Sequence, residues 1–337
     1  MEEQRGKSSR PRAERTRWRW AVAAATVGLL LATTACGSDS EGGSSDDPTT
    51  TEAGGSATDE STTTEAEGGD EGEGEGEGEA VEVTITADGL EGLPTELAAG
   101  LVDVTVDDQS EEGGAGGDVS FTQVEPGTTE EDFVKGLAAV FEGGPFPDHM
   151  LNSAGAIGSG SIILEEGEYI VWSDLAANVD RESTPEDIVT APLTVGAGNA
   201  EAELPETDGE VVATDYNFAV EAPAGGKTLA FRNDSDEQWH HVLIVDFGTN
   251  DPKLVEENLP AILEAEGEDL PEGIDGEQIN FEFAASSVFG PGSAGTFDAE
   301  LEEGNTYAAL CFISDVGGGA PHAIQHSMYE VFQGEAA

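Results

Sequence analysis

The sequence predicts an all-β protein: two antiparallel Greek-key β-sandwiches, each with one inserted helix, behind a long acidic linker. Three observations carry this expectation. Short runs such as VEVTIT (81–86) and LVDVTV (101–106) alternate apolar and polar residues, the period of a strand with one face buried. Turns rich in Gly, Pro and Asp separate the runs, which suits a sandwich of short strands. The pattern also occurs twice, so the chain reads as two diverged copies of one module, 80–198 and 205–335. Each copy has about 120 residues, enough for a core of its own.

The elements follow in order. The first copy opens with 81–86 and 101–106 and continues with DVSFTQV (118–124) and YIVWSD (169–174). Between these last two lies TTEEDFVKGLAAVF, a predicted helix. Thr128 and Glu131 have capping-box spacing, and Phe133, Leu137 and Val140/Phe141 share one face. In the second copy, 211–220 and 228–231 read as strands, followed by HHVLIV (240–245). A second helix is expected in NDPKLVEENLPAILEA, with Asp251 as N-cap and Pro252 at its first position. Aligning Tyr169 with Tyr307 sets Ser173 of the first copy over Cys311 of the second.

The N-terminus carries an address. Five arginines between 10 and 19 precede AVAAATVGLLLATTA (21–35), which is short for a membrane span of about 20 residues and suits a signal peptide. It runs into Cys36-Gly37. This resembles a bacterial lipoprotein signal (1–36), although Thr33 stands where Leu is usual, and implies cleavage before a lipid-bearing Cys36. The expected location is the extracytoplasmic face of the cell membrane, held by that lipid, with plain secretion as the alternative. Residues 37–79 have few apolar groups and end in EGEGEGEGE, so they read as a disordered, self-repelling stalk.

Charge narrows the partners. The chain has 12 basic against 71 acidic residues, a formal net charge of -59. After residue 35 the basic residues are Lys135, Arg181, Lys227, Arg232 and Lys253. Nucleic acid is excluded as a partner by repulsion, whereas a cationic protein fits. The surface equally reads as solvation in a salty medium.

The chain has two cysteines, five histidines and three methionines. Cys311, His322, His326 and Met328 stand together near the C-terminus, and His240 and His241 begin an earlier strand. With Cys36 acylated, Cys311 has no disulfide partner, so it is either a buried inert thiol or a metal thiolate. Two imidazoles and a thiolate in a plane, with a weak axial thioether, form a type 1 copper site. The order His, then Cys, His and Met resembles the cupredoxin (plastocyanin/azurin-like) family over about 130 residues. The resemblance implies His240, Cys311, His322 and Met328 as copper ligands, with His241 and His326 as rivals. Ten residues separate Cys311 from His322, a longer loop than the family's members carry, able either to close on a metal or to leave the site open. The first copy lacks the ligand set, because Ser173 replaces the thiol.

The expected function is electron transfer or copper handling by a membrane-anchored protein. A metal-free binding or scaffold module is the alternative. An enzyme with a Cys311 nucleophile and a His base is not expected, since no orienting third residue or other catalytic signature is present.

Overall fold

The computed structural model describes residues 78–110, 117–176, 183–199, 201–264 and 270–336. The signal with Cys36, almost all of the linker and Arg181 lie outside the described residues. No helix of the described residues is long and apolar enough to cross a membrane.

In chain order the first half contains β1 (Glu79–Thr86), β2 (Gly89–Glu91), β3 (Glu96–Ala98), β4 (Gly100–Asp108), β5 (Asp118–Val124), helix α1 (Glu130–Phe141), β6 (Met150–Ile157), β7 (Ser159–Leu164), β8 (Gly167–Asp174) and β9 (Ile188–Gly196). The second half contains β10 (Gly209–Thr214), β11 (Asn217–Glu221), β12 (Pro223–Ala224), β13 (Thr228–Asn233), β14 (Leu243–Asp246), helix α2 (Pro252–Glu264), β15 (Asn280–Ala285), β16 (Ala294–Asp298), β17 (Thr306–Leu310), the one-turn helix α3 (His322–Gln325), β18 (Tyr329–Gln333) and β19 (Glu335–Ala336).

The two halves repeat one strand order. The first contributes β2-β1-β4-β7 to a large sheet, and the second contributes β11-β10-β13-β16. Likewise β9-β8-β5-β6 in one half corresponds to β18-β17-β14-β15 in the other. In each half the first strand turns back into a hairpin, and the next long strand returns on its other side. That return makes β1–β4 and β10–β13 parallel, so the sheets are mixed rather than purely antiparallel as expected.

The halves do not keep separate cores. β7 and β16 meet at Ile162 and Gly295, closing one eight-stranded sheet across both copies. A Cβ on Gly295 would lie 2.6 Å from Phe289 Cζ and 3.1 Å from Ile162 Cγ2, so close packing at this seam requires glycine. One buried cluster runs from Val83, Val102 and Phe121 through Ile162 to Phe231, Ile244, Tyr307 and Cys311. The segment between β9 and β10, where the module boundary was expected, is therefore a connection over a continuous core.

The predicted helices form, with one shift. The N-cap of α1 is Thr129 rather than Thr128: its hydroxyl accepts from Asp132 N at 3.1 Å and donates to the Asp132 carboxylate at 2.7 Å. Thr128 instead donates to the Glu125 carbonyl in the preceding turn. Phe133 and Leu137 are buried, whereas Phe141 is 37% exposed. Asp251 caps α2 as expected, accepting from Leu254 N at 3.1 Å.

Because the core is shared, the described region should unfold in one calorimetric transition. Phe231→Ala, which empties a fully buried site, should lower the stability of both halves together by about 3–5 kcal/mol. Two resolved transitions, only one of them displaced, would contradict a common core.

Candidate metal centre

Four pieces of chain bring the chemistry-bearing side chains to one end of the second half. His240 lies just before β14 and exchanges main-chain bonds with Phe289, at 3.0 Å and 2.8 Å. Asn233, at the end of β13, fixes the approach to it. Its amide donates to the Gln238 and Phe289 carbonyls, and its side-chain oxygen accepts from Ser235. Cys311 is the first residue beyond β17. Its carbonyl accepts from Ala323 N at 2.8 Å, and His322 N donates to the Ile313 carbonyl at 2.8 Å. The ten-residue loop is thus folded back on itself, and His322 opens the one-turn helix α3. Met328 N donates to the His322 carbonyl, and Cys311 N donates to the Met328 carbonyl.

His240, Cys311 and His322 are all fully buried, and their ligand atoms face one another. Cys311 Sγ is 3.5 Å from His240 Nδ1 and 3.5 Å from His322 Nδ1, and the two nitrogens are 3.2 Å apart. The centre of this triangle lies about 2.0 Å from every corner, the bond length of a first-row metal to imidazole nitrogen and slightly short for thiolate sulfur. Met328 is fully buried against the same core and follows the ligand loop directly.

The environment sets the protonation states. Burial, reinforced by the neighbouring imidazoles His322 and His241, pushes His240 down to about 3 from 6.5, with the Asp215 main chain opposing. Burial also lowers His322 to about 4, although the Asp315 carboxylate pulls the other way. Burial drives the Cys311 thiol up to about 12, against the main-chain N–H groups of His241 and Ile313. At neutral pH the three groups are therefore two neutral imidazoles and a thiol. His322 Nε2 lies 3.2 Å from Asp315 Oδ1, a close approach outside hydrogen-bond geometry, so the carboxylate stands behind the ring on the side away from Cys311. Two ring nitrogens and the Cys311 sulfur thus converge on one point. A cation at the centre of the triangle satisfies all of them, so the residues fit a soft metal.

The structure separates the rivals. His241 Nε2 accepts from Phe312 N at 2.8 Å, so its lone pair is already used. His326 Nε2 bonds both Asp315 oxygens, at 3.0 and 3.1 Å, and its ring stacks on Tyr216 at 3.7 Å. Tyr216 also stands edge-on to His322 at 5.4 Å. Burial raises the Asp315 carboxyl, but bonds from His326 and Tyr216 outweigh it and hold it below its ordinary value.

Sequence reasoning missed Asp315, Tyr216 and Asn233. The 211–220 run, read as one strand, breaks at Asp215, whose φ is 20°, and that turn carries Tyr216 to the site. The only signal was the polar Thr-Asp-Tyr-Asn sequence inside an otherwise alternating run.

Solved structures similar to this chain are cupredoxins. Reduced auracyanin from Roseiflexus castenholzii is 24% identical over 37% of this chain and 93% of its own, with a TM-score of 0.21. The blue copper protein auracyanin A from Chloroflexus aurantiacus is 25% identical over 31% of this chain and 87% of its own, with a TM-score of 0.18. An azurin from Methylomonas sp. strain J is 14% identical over 37% of this chain and 94% of its own, with a TM-score of 0.20. No protein-family model and no curated protein matches the chain.

Two outcomes follow for the metal-free protein. Unfolded histidines titrate near 6.5, whereas His240, His241 and His322 are held at about 3, 4 and 4. Stability from these neutral imidazoles is fully present above about pH 6.5 and falls as acid protonates the unfolded chain, down to about pH 3. Thermal melts across that window should show the decline, and a flat profile would contradict neutral burial. Cys311, buried and held protonated, should react with a thiol-alkylating reagent only on unfolding.

Proposed function

We propose that this chain is a type 1 copper protein acting in electron transfer or copper handling, anchored by lipid outside the cytoplasmic membrane. The observation that carries the reading is the buried triangle of His240 Nδ1, Cys311 Sγ and His322 Nδ1, sized for one metal ion. His240 and His322 would offer neutral nitrogen donors, Cys311 would offer sulfur once its proton leaves, and Met328, buried against the same core, would be the candidate thioether ligand. Copper bound there supplies a one-electron couple. The protein's own part is to exclude water, fix the donors before binding, and set the Asp315 carboxylate beside His322 Nε2. The acidic surface suits a cationic redox partner, attracted more strongly at low salt.

Anaerobic titration of the mature chain with Cu(II) tests this. An intense visible thiolate-to-copper band at one equivalent is expected, abolished by Cys311→Ser and kept by His326→Ala. Its absence, with an unchanged melting temperature in copper, would favour a metal-free binding module instead.

Two quantitative outcomes accompany the titration. Binding displaces the thiol proton, so apparent affinity should rise about tenfold per pH unit between about pH 5 and 8. Asp315→Asn removes the carboxylate behind His322 and should weaken copper binding by about 10–100-fold without losing the band.

A further inference from the structure

Among the described residues the first half supplies none of the candidate ligands, yet it touches the Cys-to-His loop directly. Between α1 and β6, residues 142–149 run beside residues 313–319 of the Cys-to-His loop. Phe146 N donates to the Val316 carbonyl at 2.9 Å, and Gly319 N donates to the Gly143 carbonyl at 3.1 Å. The main chains approach so closely at Gly318 that a Cβ would lie 2.8 Å from Gly143 O and 2.9 Å from Pro145 N; its φ of +82° also requires glycine. The ring of Phe146 packs on Trp239, the neighbour of His240, with centroids 4.8 Å apart. Gln238 ties the other side, accepting from Val316 N at 3.1 Å.

Beneath these bonds lies an apolar cluster separate from the main core. It joins Phe133, Leu137 and Trp172 of the first half with Trp239 of the second, and Val288, Ile313, Val316 and Phe146 pack against it. The same first-half residues therefore seat both the chain before His240 and the chain between Cys311 and His322.

We propose that the first half is the positioning element of the metal centre: Gly143–Phe146 clamps Val316–Gly319, holding His240 and His322 at the spacing that a metal needs. The inference rests on the copper reading for its purpose but not for its geometry. A free ten-residue loop spreads over many conformations, and a site left to such a loop loses affinity to ordering. Fixing it against a rigid neighbouring sandwich places that ordering in the folding of the whole chain, before any ion arrives. The degenerate copy thus has a task that explains its retention without ligands.

Phe146 and Gly318 are positioning residues, and neither supplies a donor atom to the triangle. The test uses the full mature chain as Phe146→Ala, Gly318→Ala and, for comparison, Leu151→Ser at an exposed position of the same half. Hydrogen exchange is measured on metal-free protein. In both clamp variants, amides of Val316, Gly319 and His322 should exchange at least about tenfold faster, while those of β17 change little and Leu151→Ser resembles the parent. Copper titration should then show affinity reduced about tenfold or more in the clamp variants, with the band broadened or shifted. Loop exchange unchanged in both variants would overturn the proposal. So would acceleration spread evenly over loop and β17, which marks general destabilisation. If Phe146→Ala does not fold, Gly318→Ala alone decides, because it acts at the clamp without emptying the cluster. Absence of a copper band in the parent would end the copper reading, while exchange in the metal-free protein would still decide whether the first half orders the loop.

Discussion

Burying a thiol and two imidazoles against one another, sealed from water, is the constraint around which this protein is arranged. Polar groups taken into a core cost free energy unless they are partnered. Here His240, Cys311 and His322 turn their donor atoms on each other at 3.2–3.5 Å. Desolvation keeps the imidazoles neutral and the thiol protonated, so three metal-ligating atoms meet at the centre without a charge among them. Everything nearby serves to hold that unfavourable grouping in place: the Asn233 network before His240, the main-chain bonds that fold the loop after Cys311, and the Asp315 carboxylate behind His322.

That arrangement needs more scaffold than one sandwich provides. The two halves have the same strand order, share a sheet through Ile162 and Gly295, and share a core. Ser173, near the end of β8, aligns with Cys311, just beyond β17, and Trp172 beside it belongs to the cluster that includes Trp239. The acidic exterior is independent of all this, since net charge bears on solubility and association rather than on fold.

Much of the fold could be read directly. Alternation at Val81, Val83 and Ile85 is a local property of the chain, and it predicted a strand that buries those residues. The Asp251-Pro252 start of α2 is equally local. The shift from Thr128 to Thr129 was not legible, because both residues precede acidic side chains at suitable spacing. Only the Glu125 carbonyl, which occupies Thr128, distinguishes them. The parallel pairs and the common core depend on contacts between residues far apart in the chain, for which period-two patterning holds no information.

At the site, the sequence by itself determined which residues have metal-binding chemistry and in what order they come, because ligand type and chain order are properties of the sequence. It also determined the charge. Only the tertiary structure shows that His240 rather than His241, and His322 rather than His326, turn a ring nitrogen to the sulfur, because that depends on which nitrogens other groups already use. Phe312 uses His241, and Asp315 with Tyr216 holds His326. The structure alone showed that the long loop is closed rather than open, since the residues that close it, Gly143–Phe146, lie more than 160 positions earlier in the chain. Separation along a polypeptide says little about separation in space, and a metal centre is defined by the latter.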